Sequence, residues 1–192
     1  MSEPRRIALF GGTFDPIHLG HIEIARRARD LLELDEVRFL PCHTSPHKVG
    51  IVSALAADRL EMARLATGDL PWAVVDDFDL SRPPPSYSYE TAEEMARRFP
   101  GARLFWLMGA DQWRALPRWK EPERLANLVE FIVSARDGEP VPRAGWTMHF
   151  LKVTHPASAT AIRQALLEGR SELPWLDPKV EDFIRRQRLY GT

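Results

Sequence analysis

The segment Gly11–His21 (GGTFDPIHLGH) joins a short apolar stretch, Ile7–Phe10, to a segment with helical spacing, Ile22–Leu32. The apolar stretch predicts a buried strand, and the apolar spacing after it predicts an amphipathic helix. In α/β proteins nucleotide phosphates bind at such junctions, because the first N–H groups of a helix lack intrahelical partners. The two glycines have no Cβ atom and permit close approach of a ligand. We expect His18 and His21 to face one point if the helix begins near Leu19, because residues three apart share a helix face.

Predicted strands and helices alternate along the rest of the chain. The further predicted strands are Val37–Leu40, Trp72–Val75, Leu104–Met108, Leu128–Val133 and Met148–Val153. The further predicted helices are Ala54–Ala66, Tyr89–Arg98, Glu121–Asn127, Ala159–Leu167 and Pro178–Arg188. This alternation predicts a Rossmann-like, doubly wound α/β fold with a mainly parallel sheet of about six strands and helices on both faces. We predict a single domain over residues 1–192, with a C-terminal helical part from about residue 157 packed on it.

Composition limits the partners and the compartment. The formal net charge is −1, so we expect no nucleic-acid partner. Cys42 is the only cysteine and cannot form an internal disulfide, which fits a reducing compartment. No stretch has the length of a transmembrane helix or of a signal-peptide core, so we expect a cytoplasmic protein without membrane contact. The sequence leaves open whether the chain forms a homo-oligomer.

Several segments together carry a resemblance to a known family. Gly11–His21 resembles the signature of the nucleotidyltransferase superfamily, a Gly-rich turn followed by His-x-Gly-His. Further segments resemble those of bacterial nicotinate-mononucleotide adenylyltransferases: Pro46–Lys48, Ser86–Thr91, Gly109–Trp119, Ala157–Arg163 and the ending Leu189–Tyr190. The sequence departs from the family pattern at Ser88 and Glu90, where Thr and Asp are usual, and at two alanines in Ala157–Arg163. The resemblance spans nearly the whole chain.

This resemblance implies an enzyme that transfers the adenylyl group of ATP to nicotinate mononucleotide in NAD biosynthesis, giving nicotinate adenine dinucleotide and pyrophosphate. It implies that His18, His21 and Arg163 are catalytic. The implied ATP-binding residues are Gly11, Gly12, Thr13, Phe14, His18, His21, Lys48, Ser158, Thr160 and Arg163. The implied mononucleotide-binding residues are Ser88, Tyr89, Thr91, Gly109, Asp111 and Trp119.

The chemistry of these residue types fits the implied reaction. Imidazole and guanidinium groups donate hydrogen bonds to phosphate oxygens, and Ser158 is placed to cap the helix that carries Arg163. An indole face at Trp119 suits the flat, electron-poor pyridine ring. Mg²⁺ is implied as the cofactor that accompanies ATP, held by phosphate oxygens and water, so we expect no metal site built from protein side chains. A zinc site of Cys42, His43 and His47 lacks a matched ligand pair.

Two other functions remain open at this point. One is adenylyl transfer to pantetheine phosphate or another small acceptor, and the other is a non-catalytic nucleotide sensor on the same fold. The chain has no Gly-x-Gly-x-x-Gly after its first strand and no Walker A motif, which weighs against a dehydrogenase and a P-loop kinase. Five further residues have simpler explanations. Lys48 fits a solvated loop residue, Asp15 a turn former and Trp113 a packing residue. Arg136 fits either an adenine contact or a solvated side chain, and Cys42 has no assigned role.

Overall fold

A computed structural model describes residues 3–43 and 54–192. A single sheet of six parallel strands forms the centre, in the spatial order β3-β2-β1-β4-β5-β6. The strands are Arg6–Gly12 (β1), Glu36–Pro41 (β2), Ala73–Val75 (β3), Arg103–Gly109 (β4), Glu130–Ala135 (β5) and Met148–Lys152 (β6). The predicted α/β fold with six strands is therefore confirmed, and every pairing in the sheet is parallel.

Helices connect the strands and cover the sheet. They are Leu19–Leu32 (α1), Ala56–Thr67 (α2), Ser88–Arg98 (α3), Ala110–Ala115 (α4), Pro122–Ala126 (α5), Ala159–Leu167 (α6) and Pro178–Arg186 (α7). Short 3₁₀ turns follow at Leu116–Arg118 and Leu189–Gly191. Among the described residues, no helix combines the length and apolarity that a membrane crossing would require.

Alternation along the strands produces a hydrophobic layer on each face of the sheet. In β1, Ala8 and Phe10 point into one layer, whereas Ile7 and Leu9 point into the other. The first layer is closed by α1, α2, α6 and α7, and the second by α3, α4 and α5. Helices thus cover both faces, as the sequence predicts.

Two helix boundaries differ from the predictions in ways that affect the site. Helix α1 begins at Leu19, three residues before the first residue with clear apolar periodicity, so His18 is its N-cap residue. Helix α4 was predicted as part of a strand-to-loop junction. It forms because Trp113, at its centre, is buried in the second hydrophobic layer.

The sheet order reverses direction between β1 and β4. The chain moves outward from β1 through β2 to β3, then returns to β4 on the other side of β1. In parallel sheets such a switch point leaves a crevice beyond the carboxyl ends of the strands, and ligands bind there. Both the Gly-rich turn after β1 and the Gly109 junction after β4 lie at this crevice.

Candidate active site

A large cleft occupies the crevice between β1 and β4. Its volume is about 800 Å³, within the range of small-molecule sites. The first residues of α1, α3 and α6 line it, so the positive ends of three helix dipoles face one space. The predicted residues that line the cleft are Gly11, Gly12, Thr13, Phe14, His18, His21, Ser88, Gly109, Asp111, Trp119, Ser158, Thr160 and Arg163. Such an arrangement suits a ligand with several anionic groups.

Gly11 and Gly12 lie tightly against neighbouring aromatic rings. A Cβ atom on Gly11 would lie 3.3 Å from the ring of Trp106, and one on Gly12 would lie 3.1 Å from the ring of Phe14. Phe14 is almost fully buried, has a left-handed φ of 47°, and meets the His21 ring edge to face at 5.1 Å between centroids. The glycines therefore allow two aromatic rings to support the floor of the cleft beneath the signature turn.

Arg59 holds this turn from behind. The residue is 1% exposed, and within the described residues its guanidinium group donates to backbone carbonyl oxygens. The acceptors are Thr13 O at 2.6 Å, Cys42 O at 2.7 Å, His43 O at 2.8 Å and Ala54 O at 3.2 Å. One buried side chain thus joins the signature turn, the end of β2 and the segment that enters α2.

His18 and His21 stack on each other at the N-terminus of α1. Their ring centroids are 3.7 Å apart and the planes differ by 22°. The backbone N–H of His18 donates to Nδ1 of His21 at 3.2 Å. Because Nδ1 accepts, the proton of a neutral His21 ring is on Nε2. The predicted convergence of the two histidines in one cleft is what the structure displays.

The His18 ring is neutral in this environment. Its pKa is lowered to about 4, mainly by burial and in part by charge repulsion from the neighbouring His155 and Arg136. Its Nδ1 atom is buried and has no hydrogen-bond partner among the described residues. An unsatisfied buried polar atom is costly unless a ligand provides the partner. His155 was missed by the sequence analysis, although it lies only three residues before Ser158.

Arg163 reaches the signature turn from α6. Its Nη1 donates to the backbone oxygen of Asp15 at 2.5 Å, and Nη2 lies 3.4 Å from the hydroxyl of Thr160. Ser158 is the N-cap residue of α6, as predicted, but its side chain makes no capping hydrogen bond. Ser158, Ala159 and Thr160 line the cleft together with Arg163.

The opposite half of the cleft begins at β4. A Cβ atom on Gly109 would lie 2.7 Å from Oδ1 of Asp111, so a larger residue there would require the Asp111 side chain to shift. Trp119 follows the 3₁₀ turn after α4, packs partly against the second hydrophobic layer and lines the cleft. Ser88 starts α3 at the same side. The Ser88 and Gly109–Trp119 segments, separate in sequence, thus meet at one wall.

Two predicted contact residues do not line the cleft. Thr91 is fully buried, and its hydroxyl donates to Oδ1 of Asp79 at 2.6 Å. The Tyr89 hydroxyl donates to Glu90, and its ring packs against the guanidinium group of Arg124. Neither residue is among those that line the cleft, so direct ligand contact by these two side chains stays a prediction. Lys48 and His47 lie outside the described residues.

Asp79 is a buried carboxyl at the cleft that the sequence analysis did not select. Burial raises its pKa to about 6, and the hydrogen bond from Thr91 opposes part of that shift. The residue is 5% exposed and lines the cleft. No sequence pattern marks it, because its burial depends on the fold of the Asp76–Tyr87 segment against α3.

The described residues contain no group of three or more His, Cys, Asp or Glu side chains that could hold a metal ion. His43, one of the residues considered for zinc, instead places Nε2 2.8 Å from the backbone oxygen of Leu80. The Asp15 carboxylate is already bonded to Ala54 N–H and to the hydroxyl of Tyr190.

Comparisons with known proteins agree with this geometry. A family model described as cytidylyltransferase-like matches residues 9–165. A probable nicotinate-nucleotide adenylyltransferase from Thermus thermophilus is 42% identical over 186 residues, covering 96% of this chain and 99% of the relative. The chain belongs to the nicotinate-nucleotide adenylyltransferases of the cytidylyltransferase-like family. A probable nicotinate-nucleotide adenylyltransferase from a Synechococcus species is 35% identical over 198 residues, covering 98% of this chain and 96% of the relative.

The fold of the family is also found in solved structures. Nicotinic acid mononucleotide adenylyltransferase from Plasmodium falciparum, complexed with NaAD, aligns with a TM-score of 0.76 at 18% identity and covers 97% of both chains. A putative nicotinate-nucleotide adenylyltransferase from Vibrio parahaemolyticus aligns with a TM-score of 0.70 at 20% identity, covering 97% of this chain and 96% of that chain. At these identities the alignments establish the shared fold.

Two further cationic side chains line the cleft of this protein and were not among the predicted contacts. Arg118 and Lys120 flank Trp119, are exposed and line the cleft. Their position beside the aromatic ring was readable from the sequence, but nothing there distinguished them from ordinary surface cations.

Proposed function

We propose that the protein transfers the adenylyl group of ATP to nicotinate mononucleotide, forming nicotinate adenine dinucleotide and pyrophosphate in NAD biosynthesis. A phosphate oxygen of the mononucleotide forms a bond to the α-phosphorus of ATP while the bond to the leaving pyrophosphate breaks. The observation that carries the proposal is the single cleft in which stacked His18 and His21 and the N-termini of α1, α3 and α6 all converge.

This reaction requires the chain to position two anions in line and to stabilise charge on phosphoryl oxygens. A direct displacement needs no nucleophilic side chain. The pair His18 and His21 would donate hydrogen bonds to the α-phosphate, and binding of an anion would favour protonation of His18, whose pKa is lowered to about 4. Arg163 and the N-terminus of α6 at Ser158 and Thr160 would bind the remaining phosphates of ATP.

The mononucleotide would occupy the opposite wall. Trp119 offers its indole face to the pyridine ring, and the N–H groups at the start of α3, near Ser88, would bind the ring carboxylate. Asp111 would accept hydrogen bonds from ribose hydroxyls. Arg118 and Lys120 lie where they would favour an anionic acceptor over a neutral one.

Mg²⁺ fits the site as an ion that enters with ATP. Of the cleft carboxylates Asp15, Asp79 and Asp111, the first two are already engaged by Tyr190 and Thr91, so the chain would hold the ion mainly through phosphate oxygens and water. When bound, the ion would neutralise charge on the departing pyrophosphate.

The proposal is tested by measuring pyrophosphate release from ATP and Mg²⁺ with three acceptors in parallel. Nicotinate mononucleotide is expected to react with the highest kcat/KM, ahead of nicotinamide mononucleotide, with no turnover of phosphopantetheine. Turnover of phosphopantetheine alone would support the other transferase, and no turnover with any acceptor would support a nucleotide sensor.

A matched pair of histidine variants controls this assay. His18→Ala is expected to lower kcat by well over tenfold, because it removes a donor at the reacting phosphate. His149→Ala removes a histidine that bonds to Glu130 at 2.6 Å, outside the cleft, and should retain kcat. Equal turnover by the His18 variant and the wild-type protein would contradict the assigned role of the histidine pair.

A further inference from the structure

The 3₁₀ turn Leu189–Gly191 contacts the signature turn across most of the sequence. The hydroxyl of Tyr190 donates to Oδ1 of Asp15 at 2.6 Å, although the two residues are 175 positions apart. Asp15 lies between the Gly-rich part of the signature and His18, so this contact touches the segment that shapes the cleft. The function proposed above assigns no role to Tyr190.

Asp15 is also the residue that orients Arg163. The guanidinium Nη1 donates to the backbone oxygen of Asp15 at 2.5 Å, whereas the carboxylate Oδ2 stays 3.8 Å from that nitrogen. Oδ1 already accepts from Tyr190 and from the N–H of Ala54 at 3.1 Å. The carboxylate is therefore held toward Tyr190 and Ala54, and it forms only a loose ion pair with Arg163.

This loose pairing matters because Asp15 and ATP would compete for the same cation. A carboxylate that closed on Arg163 would form two short charge-assisted hydrogen bonds and occupy the guanidinium donors. Those donors would then be lost to the phosphates. Restraining Asp15 from the other side keeps the Arg163 side chain, which is 20% exposed, directed to the cleft.

The backbone conformation around the 3₁₀ turn indicates that Tyr190 is held in place by more than the packing of its ring. Tyr190 has φ 58° and ψ 26°, and Arg188 has φ 52° and ψ 41°, so two non-glycine residues occupy the left-handed region. That region is unfavourable for residues with a Cβ atom and persists where surrounding contacts require it. The ring of Tyr190 packs against the first hydrophobic layer, as a phenylalanine could, but only the hydroxyl reaches Asp15.

The hydroxyl is a permanent donor. Burial and the hydrogen bond to Asp15 both raise the pKa of Tyr190 above its ordinary value. The group is therefore protonated throughout the working pH range and always donates to the carboxylate.

We propose that Tyr190 is a positioning residue for adenylyl transfer: its hydroxyl holds the Asp15 carboxylate away from Arg163, so that Arg163 stays available to the phosphates of ATP. The inference rests on the proposed function for the identity of the nucleotide at Arg163. Tyr190 acts through Asp15 and Arg163 and touches neither substrate.

The test compares Tyr190→Phe in two backgrounds. In the wild-type background the variant keeps the ring and loses the hydroxyl, and kcat/KM for ATP is expected to fall about tenfold, with KM for nicotinate mononucleotide unchanged. In an Arg163→Ala background the same substitution is expected to have no effect on kcat/KM for ATP. A merely structural role would lower activity in both backgrounds and for both substrates, and either result would overturn the proposal.

Thr192→Val is the matched control from the same end of the structure. The Thr192 hydroxyl donates to the backbone oxygens of Leu189 and Ile184 and not to Asp15. This variant should retain wild-type kcat/KM for ATP, and a loss equal to that of Tyr190→Phe would overturn the assigned contact. The dissociation constant of ATP with Mg²⁺, measured by calorimetry on the same variants, separates the two proposals. If no acceptor reacts, the proposed function fails, while the ATP titrations still decide whether Tyr190 acts through Arg163.

Discussion

At the residue scale, Arg59 shows how a buried charged side chain can fix the position of backbone segments. Its guanidinium group has no carboxylate among its hydrogen-bond acceptors and is bonded to four carbonyl oxygens from three segments. A buried cation is tolerated only when its donors are satisfied, and the planar fork of arginine allows several fixed bonds at once. The residue therefore fixes the position of Thr13 relative to the end of β2, at Cys42 and His43.

We expect Arg59→Lys to lower the free energy of unfolding by about 2 to 4 kcal/mol, because an ammonium group cannot reach all four oxygens and leaves buried acceptors unpaired. Urea unfolding followed by circular dichroism measures the change. Arg64→Lys, on the same helix, replaces an exposed cation 3.8 Å from Glu61 and should alter the free energy by less than about 0.5 kcal/mol. Similar losses in both variants would show that the carbonyl contacts are not the cause.

At the element scale, the N-terminus of α1 is shaped around the histidine pair. Gly20 lies in the first turn, where a Cβ atom would stand 3.0 Å from Nδ1 of His18 and 3.1 Å from Nδ1 of His155. Glycine inside a helix costs about 1 kcal/mol relative to alanine. Its presence here is explained by the space that His18 occupies.

Gly20→Ala is accordingly expected to lower kcat for adenylyl transfer about tenfold, because the new methyl group displaces the His18 ring from the reacting phosphate. The gain in free energy of unfolding that this substitution normally gives should be absent, since the contact with His18 and His155 opposes it. Parallel measurement of kcat and of urea unfolding checks both parts. A variant that is more stable and fully active would mean that the histidine rings have room to move.

The elements that follow from local patterns were predictable, and those that depend on distant contacts were not. The apolar stretch of β1, the periodicity of α1 and the three-residue spacing of His18 and His21 sufficed to predict a phosphate site. Helix α4 was missed because six residues carry too little periodicity, and its stability comes from the burial of Trp113.

Contacts across the chain lie beyond any local pattern. The type of residue at position 59 predicts an exposed side chain, and its burial results from three segments that meet only in the fold. Likewise, Tyr190 and Asp15 are each unremarkable in sequence, and their hydrogen bond exists because α6 and α7 pack on the same face of the sheet as the signature turn.

At the scale of the whole molecule, two buried titratable groups at the cleft make opposite contributions to the pH dependence of stability. The pKa of His18 is lowered to about 4, below its unfolded value of about 6.5. Its contribution is fully present above the unfolded pKa and is lost as pH falls toward 4, because the unfolded chain then binds the additional proton.

The contribution of Asp79 has the reverse sign. The pKa of this carboxyl is raised to about 6, above its unfolded value of about 3.9. Its stabilising contribution is fully present below the unfolded pKa and is lost as pH rises from about 4 through 6, because over that range the unfolded chain has released the proton that the folded protein still binds. Between about pH 4 and pH 6 the two contributions therefore largely cancel.

Replacing one of the two groups should reveal the contribution of the other to the pH dependence of stability. In His18→Gln, the free energy of unfolding is expected to increase by about 2 kcal/mol relative to the wild-type pH profile as pH falls from 6.5 to 4, because the Asp79 contribution is no longer opposed. In Asp79→Asn, the profile should instead fall more steeply over this window by a similar amount. Urea unfolding at a series of pH values measures both, and the difference between each variant and the wild-type protein cancels the groups that they share.

Parallel profiles for all three proteins would mean that neither group is buried in the state that the structure describes. Opposite pH slopes of the free energy of unfolding in the two variants would instead show that the contributions of His18 and Asp79 offset each other. The protein would then bury both groups in its cleft at little net cost in stability near neutral pH.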